Sequence, residues 1–349
     1  MLKSITALQS SKSFWKQCRN THIYDKGRGH KGDHKVTVLG AAGDVGQTLS
    51  LLLRAQSYIS NLVLHDDQDT PPAAFFDLSH IPKDNNLTIL NGMETLHKAL
   101  KDADVIIAAG GLVRTPEVTE HEFLTTNIQF IKMAAASIAK LRPQPFVGIV
   151  TEPINTLVPM AAEILKTHGD YNPKKLFGIT CCDHLKAQAM YAKHHHLKVS
   201  DCYIPVICGH SEKTIVPLVS QALPVTETTM TDRSIQEFTH KVRRSAYVIA
   251  RSSYGKVPTL SAAYAGLIFA KSAVFALDGT PSHIQAFVEN NDFGTSFFSG
   301  LVELDHLGAG EMLRYNNLSH YECHILECSL GELRKDVLKG KKMLEMTQL

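Results

Sequence analysis

The sequence predicts an α/β protein with a parallel sheet in its first half and an α+β domain in its second half. In residues 35–150, short apolar runs of strand length alternate with helical patterns, which is typical of a parallel sheet covered by helices. After residue 180 the pattern changes to long helices and a hairpin. A chain of 349 residues also exceeds the usual size of one hydrophobic core, so we expect two domains.

The elements of the first half follow from hydrophobic periodicity and from the glycines. Strand-length apolar runs are bounded by turn residues, and longer stretches carry leucines at helical spacing. The predicted elements are a strand at 35–39, a glycine-rich turn at 40–46, a helix that buries Leu49, Leu51, Leu52 and Leu53, strands at 62–64, 104–109 and 146–150, and a helix at 120–141.

The second half has longer helical segments and strands that we expect to be antiparallel. Two apolar or alternating runs flank an Asn-Asn-Asp-Phe-Gly turn, as a hairpin requires. The predicted elements are helices at 183–194, 232–252 and 259–277, hairpin strands at 282–288 and 295–302, and a basic closing helix at 326–346.

The composition excludes several function classes. Hydrophobic residues make up 44% of the chain and charged residues 20%, with a formal net charge of +2, as in ordinary globular proteins. We find no uninterrupted apolar run of about 18 residues and no block of like charge, so neither membrane insertion nor nucleic-acid binding is expected. The seven cysteines are odd in number and sparse, which favours reduced thiols. No metal site is predicted, because His194–His196 fits a solvated helix end better.

Residues 1–24 resemble a mitochondrial transit peptide. The segment contains four basic residues and four serines, and no acidic residue precedes Asp25. Polar residues interrupt its apolar positions, which argues against a secretory signal. We therefore expect cleavage before Lys35 and a location in the mitochondrial matrix, the alternative being a basic tail with no targeting role.

The glycine-rich turn predicts a dinucleotide site. Its three glycines directly follow a strand and open a helix, and an acidic residue ends the next strand 20 positions later. Glycines let the backbone approach a pyrophosphate, the helix N-terminus offers N–H groups to the anion, and a carboxylate suits the ribose diol of NAD but repels the 2′-phosphate of NADP. The alternative is a tight turn with no ligand. The predicted NAD-binding residues are Gly40, Ala41, Ala42, Gly43, Asp44, Val45, Gly46 and Asp66, with Asp67 as a second candidate for the carboxylate.

Further strings, from residue 35 to the C-terminus, resemble the mitochondrial malate dehydrogenases, a branch of the lactate/malate dehydrogenase family. The similarity rests on Gly-Ala-Ala-Gly-Asp-Val-Gly-Gln at 40–47, Asp-Leu-Ser-His at 77–80, Glu-Pro-Ile-Asn at 152–155, and Gly209-His210 followed by Lys-Thr-Ile-Val-Pro. The resemblance implies a Rossmann NAD-binding domain at 34–180 and a catalytic domain at 181–349. It also implies a homodimer that interconverts malate and oxaloacetate with NAD in the tricarboxylic acid cycle.

The resemblance also implies roles for individual residues. Oxidising an alcohol requires a base poised near neutral pH, and His210 occupies the family's base position. Asp183 matches the carboxylate that fixes the tautomer of this imidazole. Asn127 matches an asparagine near the substrate and cofactor, and Asn155 is likewise expected beside them. Ala262 replaces a methionine near the nicotinamide.

The chain departs from the family where the substrate's two carboxylates bind. The family uses three arginines, of which only Arg114 is retained. Glu120 stands at the second position, so a negative charge replaces the positive charge of the family's arginine. Lys186 stands at the third position, where an ammonium makes a single-point contact in place of the bidentate contact of a guanidinium. Glu152 and Glu212 add carboxylates in place of an asparagine and a glycine.

These departures predict malate activity that is reduced or redirected to a less charged 2-oxo acid. Loss of one group that stabilises developing charge costs on the order of a hundredfold in rate. The alternative is an inactive relative that binds NAD and acts as a structural or regulatory subunit, for example in a heterodimer with an active homologue.

Overall fold

The computed structural model describes residues 32–68, 73–115, 117–225, 230–252 and 258–346. The predicted transit peptide at 1–24 lies outside the described residues. The described part is built around one mixed sheet with helices on both faces. Its strands are β1 Lys35–Leu39, β2 Asn61–Asp66, β3 Asn86–Asn91, β4 Val105–Ala108, β5 Phe146–Ile149, β6 Leu176–Gly178, β7 Val206–Cys208, β8 Ile215–Pro217, β9 Ser282–Glu289, β10 Phe297–Asp305 and β11 Gly308–Met312.

The helices alternate with the strands in the first half and become longer in the second. The elements predicted from the sequence appear in the predicted order, and two predicted bounds, 35–39 and 232–252, agree with the structure, but helices α2, α3 and α5 were not predicted. The helices are α1 Asp44–Arg54, α2 Ala73–Ser79, α3 Leu96–Leu100, α4 Glu120–Ile138, α5 Ile154–His168, α6 Cys181–His194, α7 Asp232–Ser252, α8 Leu260–Leu277 and α9 His320–Met346.

The sheet has the strand order β3-β2-β1-β4-β5-β6-β9-β10-β7-β8, and β11 pairs with β10. Strands β1 to β6 are parallel to one another, and all other pairings, including that of β6 with β9, are antiparallel. The order 3-2-1-4-5-6 of the parallel part reverses direction between β1 and β4. Such a reversal opens a crevice at the carboxyl ends of the strands, where ligands bind.

The two halves share one continuous sheet and one core. Strand β6 pairs with β9 where Gly178 lies opposite Phe287. The aromatic rings of Phe146, Phe177 and Phe269 pack in sequence, with centroids 6.1 and 5.3 Å apart. The two predicted domains are therefore joined by strand pairing and a common aromatic core.

The closing helix starts earlier than the sequence analysis predicted. Helix α9 begins at His320 and not at residue 326. Its start is fixed by a capping box, in which the Glu322 N–H donates to Ser319 Oγ (3.2 Å) and the Ser319 N–H donates to Glu322 Oε2 (2.8 Å). A Ser-x-x-Glu pattern is visible in the sequence, so this bound was within reach of prediction.

One predicted core residue is wrong, because Leu51 of α1 is 49% exposed while Leu49 and Leu53 are fully buried. Positions four apart share a helix face, and Leu51 lies between them on the opposite face. The sequence analysis also missed β3, β6, β7, β8 and β11. Three of these strands have only three residues, too few for a periodicity signal.

Helix α8 is the apolar helix at the centre of the fold. Among the described residues it alone has the length and mean hydropathy (1.6) to cross a membrane, and 61% of it is buried inside the protein. It packs against α1, where Gly266 faces the Leu49 side chain, and against β9 and β10. Its apolar character is explained by its place in the core.

Burial on β10 predicts a contrast between two leucines three positions apart. Leu304 is fully buried and Leu307 is 55% exposed in the following turn. We expect Leu304→Ala to lower the free energy of unfolding by about 2–5 kcal/mol, because it leaves a core cavity. Leu307→Ala, the matched control, should change it by less than about 0.5 kcal/mol in urea unfolding. Equal losses would contradict the assigned β10 packing.

Candidate active site

The glycine turn between β1 and α1 leaves no room for side chains at two positions. Gly40 has φ +72°, and a Cβ there would lie 2.1 Å from Gly110 Cα on the neighbouring strand's loop. A Cβ at Gly46 would lie 2.1 Å from the Gly40 carbonyl oxygen. Gly43 caps α1 and has no side chain to accept from the first-turn N–H groups. The turn therefore presents bare backbone at a helix N-terminus, as an anion site requires.

Asp66 ends β2 and lies directly beside this turn. Its side chain is 4% exposed, and Oδ2 accepts a hydrogen bond from the Ala42 N–H at 2.8 Å. Burial raises the pKa of Asp66, against which the hydrogen bonds from Ala42 and Gln68 act. Asp67, the second candidate carboxylate, is exposed and is not hydrogen-bonded to the turn. The geometry thus favours Asp66 as the carboxylate that faces a bound dinucleotide.

A single cleft leads from the glycine turn toward Glu152, across the reversal point between β1 and β4. Its empty space is about 510 Å³, which includes space open to solvent. The lining residues are Gly43, Asp44, Val45, Ala109, Gly110, Gly111, Leu112, Val113, Arg114, Phe123, Val150, Thr151, Glu152, Pro258, Thr259 and Ala262. The predicted cofactor residues Asp44, Val45 and Ala262 thus share one cleft with Arg114.

Asp183 joins two cationic side chains in the buried interior beside the cleft. It sits in the first turn of α6, and its side chain is 2% exposed. Oδ2 is hydrogen-bonded to His210 Nδ1, and Oδ1 accepts from Lys186 Nζ at 3.1 Å. Burial opposes ionisation, but the charges of His210 and Lys186 outweigh it and lower the pKa of Asp183. An ionised Asp183 fixes the orientation of the His210 ring and leaves Nε2 on the side away from Asp183.

Asn155 holds the backbone of the His210 loop. It is 1% exposed, and its Oδ1 accepts from the His210 N–H at 2.8 Å. Its Nδ2 donates to Thr214 Oγ1 and to Asp336 Oδ2 of α9, each at 3.0 Å. The amide is thus fully hydrogen-bonded within the protein, and it positions the backbone of His210. Asp336 was missed by the sequence analysis, since it lies 181 residues from Asn155 with no motif around it.

The loop ahead of His210 has a constrained backbone. Cys208 adopts φ +88°, a region that L-residues rarely occupy. A Cβ on Gly209 would lie 2.7 Å from Thr214 Oγ1 and 2.9 Å from Asn155 Oδ1, so the position requires glycine. Outliers of this kind cluster at functional sites, where the surrounding structure holds them in place.

Asn127 plays a similar backbone role on the opposite side of the cleft. It is fully buried in α4, and its Oδ1 accepts from the Leu112 N–H at 2.6 Å. Its Nδ2 donates to the carbonyl oxygen of Glu152 at 2.7 Å and to that of Leu112 at 3.1 Å. Asn127 therefore links the loop after β4 to the loop that carries Glu152.

Glu152 brings a second carboxylate to His210. Its Oε1 lies 3.4 Å from His210 Nε2, and its side chain is 56% exposed in the cleft. Its surroundings alone would raise the pKa of Glu152, but the hydrogen bond and charge of His210, and the charge of Lys186, lower it. Burial alone would lower the pKa of His210, but Asp183 and then Glu152 raise it well above its ordinary value.

Arg114 is paired with Glu120 at the mouth of the cleft. Its Nη1 contacts Glu120 Oε2, its Nη2 lies 3.3 Å from Oε1, and its guanidinium stacks 4.4 Å from the Phe123 ring centroid. Glu120 opens α4, where Thr119 accepts from the Glu122 N–H. The charge inversion noted in the sequence thus places a carboxylate on the guanidinium that was expected to bind substrate.

Other predicted residues lie farther from this chemistry. Glu212 is exposed two residues after His210. Among the described residues, one group of three possible metal ligands lies close together, Cys182, Asp183 and His210, and two of its members form the pair already described. Burial raises the pKa of the Cys182 thiol, which disfavours the thiolate that metals bind.

Two family models match the chain almost end to end. Residues 34–178 match the lactate/malate dehydrogenase NAD binding domain, and residues 180–344 match the lactate/malate dehydrogenase alpha/beta C-terminal domain. Malate dehydrogenase 2, mitochondrial, of Arabidopsis thaliana is 36% identical over 312 residues, or 89% of this chain and 91% of that protein. The mitochondrial malate dehydrogenase of Bos taurus is 36% identical over 318 residues, covering 89% and 92%.

Solved structures show the same fold. Cryptosporidium parvum malate dehydrogenase superposes with a TM-score of 0.75 at 20% identity, covering 89% of this chain and 100% of that one. The lactate dehydrogenase of the same organism, solved with lactic acid and NAD, gives a TM-score of 0.74 at 19% identity, covering 90% and 99%. At these identities the likeness concerns the fold alone.

The Asp183–His210 pair predicts a pH window of stability. The lowered pKa of Asp183 makes its contribution present above the ordinary value of 3.8 and lost as pH falls through the lower folded value. The raised pKa of His210 makes its contribution fully present below 6.5 and lost as pH rises through the higher folded value. In urea unfolding, we expect the free energy of unfolding of the wild type to exceed that of His210→Gln by about 1.5–3 kcal/mol near pH 5.5. The difference should be smaller near pH 9.5.

The control for this comparison is the exposed His306→Gln, which should change the free energy of unfolding by less than about 0.5 kcal/mol. A His210→Gln difference that stays constant with pH would mean that the Asp183–His210 ion pair contributes no stability.

Proposed function

The chain belongs to the lactate/malate dehydrogenase family, and from that premise we propose that it interconverts a small 2-hydroxy acid and its 2-oxo acid with NAD, using His210 as acid and base. The observation that carries the proposal is the buried Asp183–His210 pair, which lies against Glu152 in the wall of a cleft that begins at the glycine turn. The reaction is of malate dehydrogenase type.

NAD is the cofactor of this family's N-terminal domain, and the residues present fit it. Gly40 and Gly46 leave the room that a pyrophosphate needs, and Asp66 offers a carboxylate to the ribose hydroxyls. Asp44 is the discordant residue, because it adds a negative charge at the first turn of α1. When bound, the nicotinamide supplies or accepts the hydride.

The chain's own residues handle the proton. In alcohol oxidation a neutral His210 takes the hydroxyl proton at Nε2, and Asp183 stabilises the imidazolium that results. In carbonyl reduction the same proton returns to the oxygen. Lys186, one helical turn from Asp183, offers one ammonium to the substrate's C1 carboxylate while it remains bound to Asp183.

We propose that malate and oxaloacetate are poor substrates. Arg114 is the one arginine matched to the distal carboxylate, and Glu120 already neutralises it. The sequence has no Arg or Lys between Arg114 and Lys132, so no neighbour on this loop can take over. A 2-oxo acid with an uncharged distal group loses nothing from this arrangement.

A second candidate is an NAD-binding subunit without catalytic activity, which pairs with an active homologue. The observation that favours it is the Glu152 carboxylate, which sits on the Nε2 side of His210 where a substrate oxygen would have to bind. Cofactor binding would be retained, because Glu152 lies at the opposite end of the cleft from the glycine turn.

We propose a location from the names of the relatives and an assembly from the family resemblance. Several similar proteins are named mitochondrial malate dehydrogenases. Together with the basic, serine-rich segment at 1–24, these names support a mitochondrial location, in the matrix, for this chain. We propose a homodimer as its assembly.

Two measurements on one preparation test the proposed function. NADH binding is measured by calorimetry, and NADH consumption is followed with oxaloacetate and with uncharged 2-oxo acids. The dehydrogenase proposal requires NADH binding and turnover of at least one 2-oxo acid above background. Tight NADH binding without turnover of any acid would overturn it in favour of the non-catalytic subunit.

Restoring two arginines should restore malate chemistry. Glu120→Arg with Lys186→Arg frees Arg114 from its partner and returns a bidentate carboxylate contact, so oxaloacetate turnover should rise about a hundredfold or more. Glu117→Arg, which adds the same charge to an exposed site on the same loop, should leave kcat/KM nearly unchanged. No gain in oxaloacetate turnover in the double variant would mean that Glu120 and Lys186 are not what limits this reaction.

Asp66 should set the preference for NAD. Asp66→Asn keeps the shape but removes the charge, so NADH affinity should fall about tenfold or more and the preference for NADH over NADPH should narrow. Asp67→Asn is the matched control and should affect neither, since Asp67 is exposed. Calorimetry with both cofactors decides between the carboxylates, and a larger effect in Asp67→Asn would reverse the assignment.

A further inference from the structure

His210 lies between two carboxylates, one at each ring nitrogen. Asp183 Oδ2 is hydrogen-bonded to Nδ1, and Glu152 Oε1 lies 3.4 Å from Nε2. The two acids come from different parts of the fold, Asp183 from α6 and Glu152 from the loop between β5 and α5. The His210 side chain is 9% exposed and Asp183 is 2% exposed, so their contact is shielded from water, whereas Glu152 is 56% exposed and reaches His210 from the solvent side.

We propose that Glu152 is a second carboxylate partner of His210 that keeps the imidazole doubly protonated before substrate binds, so that the site is poised as an acid for reducing 2-oxo compounds. The inference rests on the proposed function and adds that reduction of the 2-oxo compound is the favoured direction of the reaction. Glu152 is a positioning residue here, because it acts through the protonation of His210.

The contact with Glu152 favours an N–H at both ring nitrogens. A neutral imidazole has one N–H, which Asp183 claims at Nδ1, and Nε2 would then turn a lone pair toward the Glu152 carboxylate. Two electron pairs at this distance repel each other, whereas an Nε2–H makes an attractive contact. The arrangement in the structure therefore fits the imidazolium and disfavours the neutral ring.

The charges that face His210 support the same state. From α6 come Cys182, Asp183 and Lys186, and from the β5–α5 loop comes Glu152. Burial raises the pKa of Cys182, so this thiol is protonated and neutral. Asn155 of α5, which accepts a hydrogen bond from the His210 N–H, is an uncharged amide. With His210 protonated, two cations and two carboxylates alternate and the cluster is neutral. With His210 neutral, it would carry an uncompensated negative charge in a partly buried site.

The proton balance of the reaction sets its direction. A 2-oxo substrate displaces the half-exposed Glu152, and its carbonyl oxygen takes the proton from Nε2 while its carbonyl carbon takes a hydride from the reduced nicotinamide. The products are the 2-hydroxy acid, oxidised cofactor and a neutral His210 still bound to Asp183. The reverse reaction needs a neutral His210 at the outset, which Glu152 opposes. The site is thus biased toward reduction near neutral pH.

The test is an NMR titration of the His210 ring nitrogens in the full chain without cofactor or substrate. His210→Gln identifies the signals, and Glu152→Gln removes the charge while it keeps the shape. We expect the pKa of His210 to fall by about 1 or more in Glu152→Gln. Glu212→Gln, an exposed carboxylate two residues from His210, is the matched control and should leave the pKa unchanged.

Kinetics supply the second readout. In Glu152→Gln the pH profile for oxidation of a 2-hydroxy acid should move to lower pH by the same amount as the His210 pKa. The oxidation rate near pH 7 should then rise about tenfold if the profile moves by about one pH unit. An unchanged His210 titration in Glu152→Gln would overturn the inference, whatever the activity. Absence of turnover with a lowered His210 pKa would instead remove the proposed function and leave the Glu152 contact established.

Discussion

The site depends on one buried carboxylate, Asp183, which binds His210 and Lys186 at the same time. Its place in the first turn of α6 puts it at the positive end of the helix dipole, which favours an ionised side chain. Two cations offset the burial of the charge, and the result is a fixed ring orientation at His210 and a fixed ammonium at Lys186. Without this carboxylate the two cations would lose their shared partner.

Two buried amide side chains impose a second set of constraints. They hold the loops around the cleft in place. Asn155 ties the His210 loop to α9, and Asn127 ties the loop after β4 to Glu152. Family resemblance implied that both asparagines lie near substrate and cofactor. In the structure every polar side-chain atom of the two amides is hydrogen-bonded within the protein.

Local patterns in the sequence predicted much of the fold and of the cofactor site. The strand at 35–39, the glycine turn and Asp66 are signals of short range, in which spacing and residue type suffice. The contacts that decide the chemistry are long-range. Glu152 and His210 are 58 positions apart, so no local pattern could pair them. Arg114 and Glu120 are closer, but a loop and a helix start must be oriented before a bidentate pair can form.

The central claim is that the chain keeps the proton chemistry of its family and has lost the clamp for a second carboxylate. The most direct measurement is the ratio of kcat/KM for oxaloacetate to that for 2-oxobutyrate, a four-carbon 2-oxo acid that differs only in its distal group. We expect a ratio near or below one, because Glu120 is paired with Arg114. A ratio of a hundred or more would contradict this expectation and mean that Arg114 still binds the distal carboxylate.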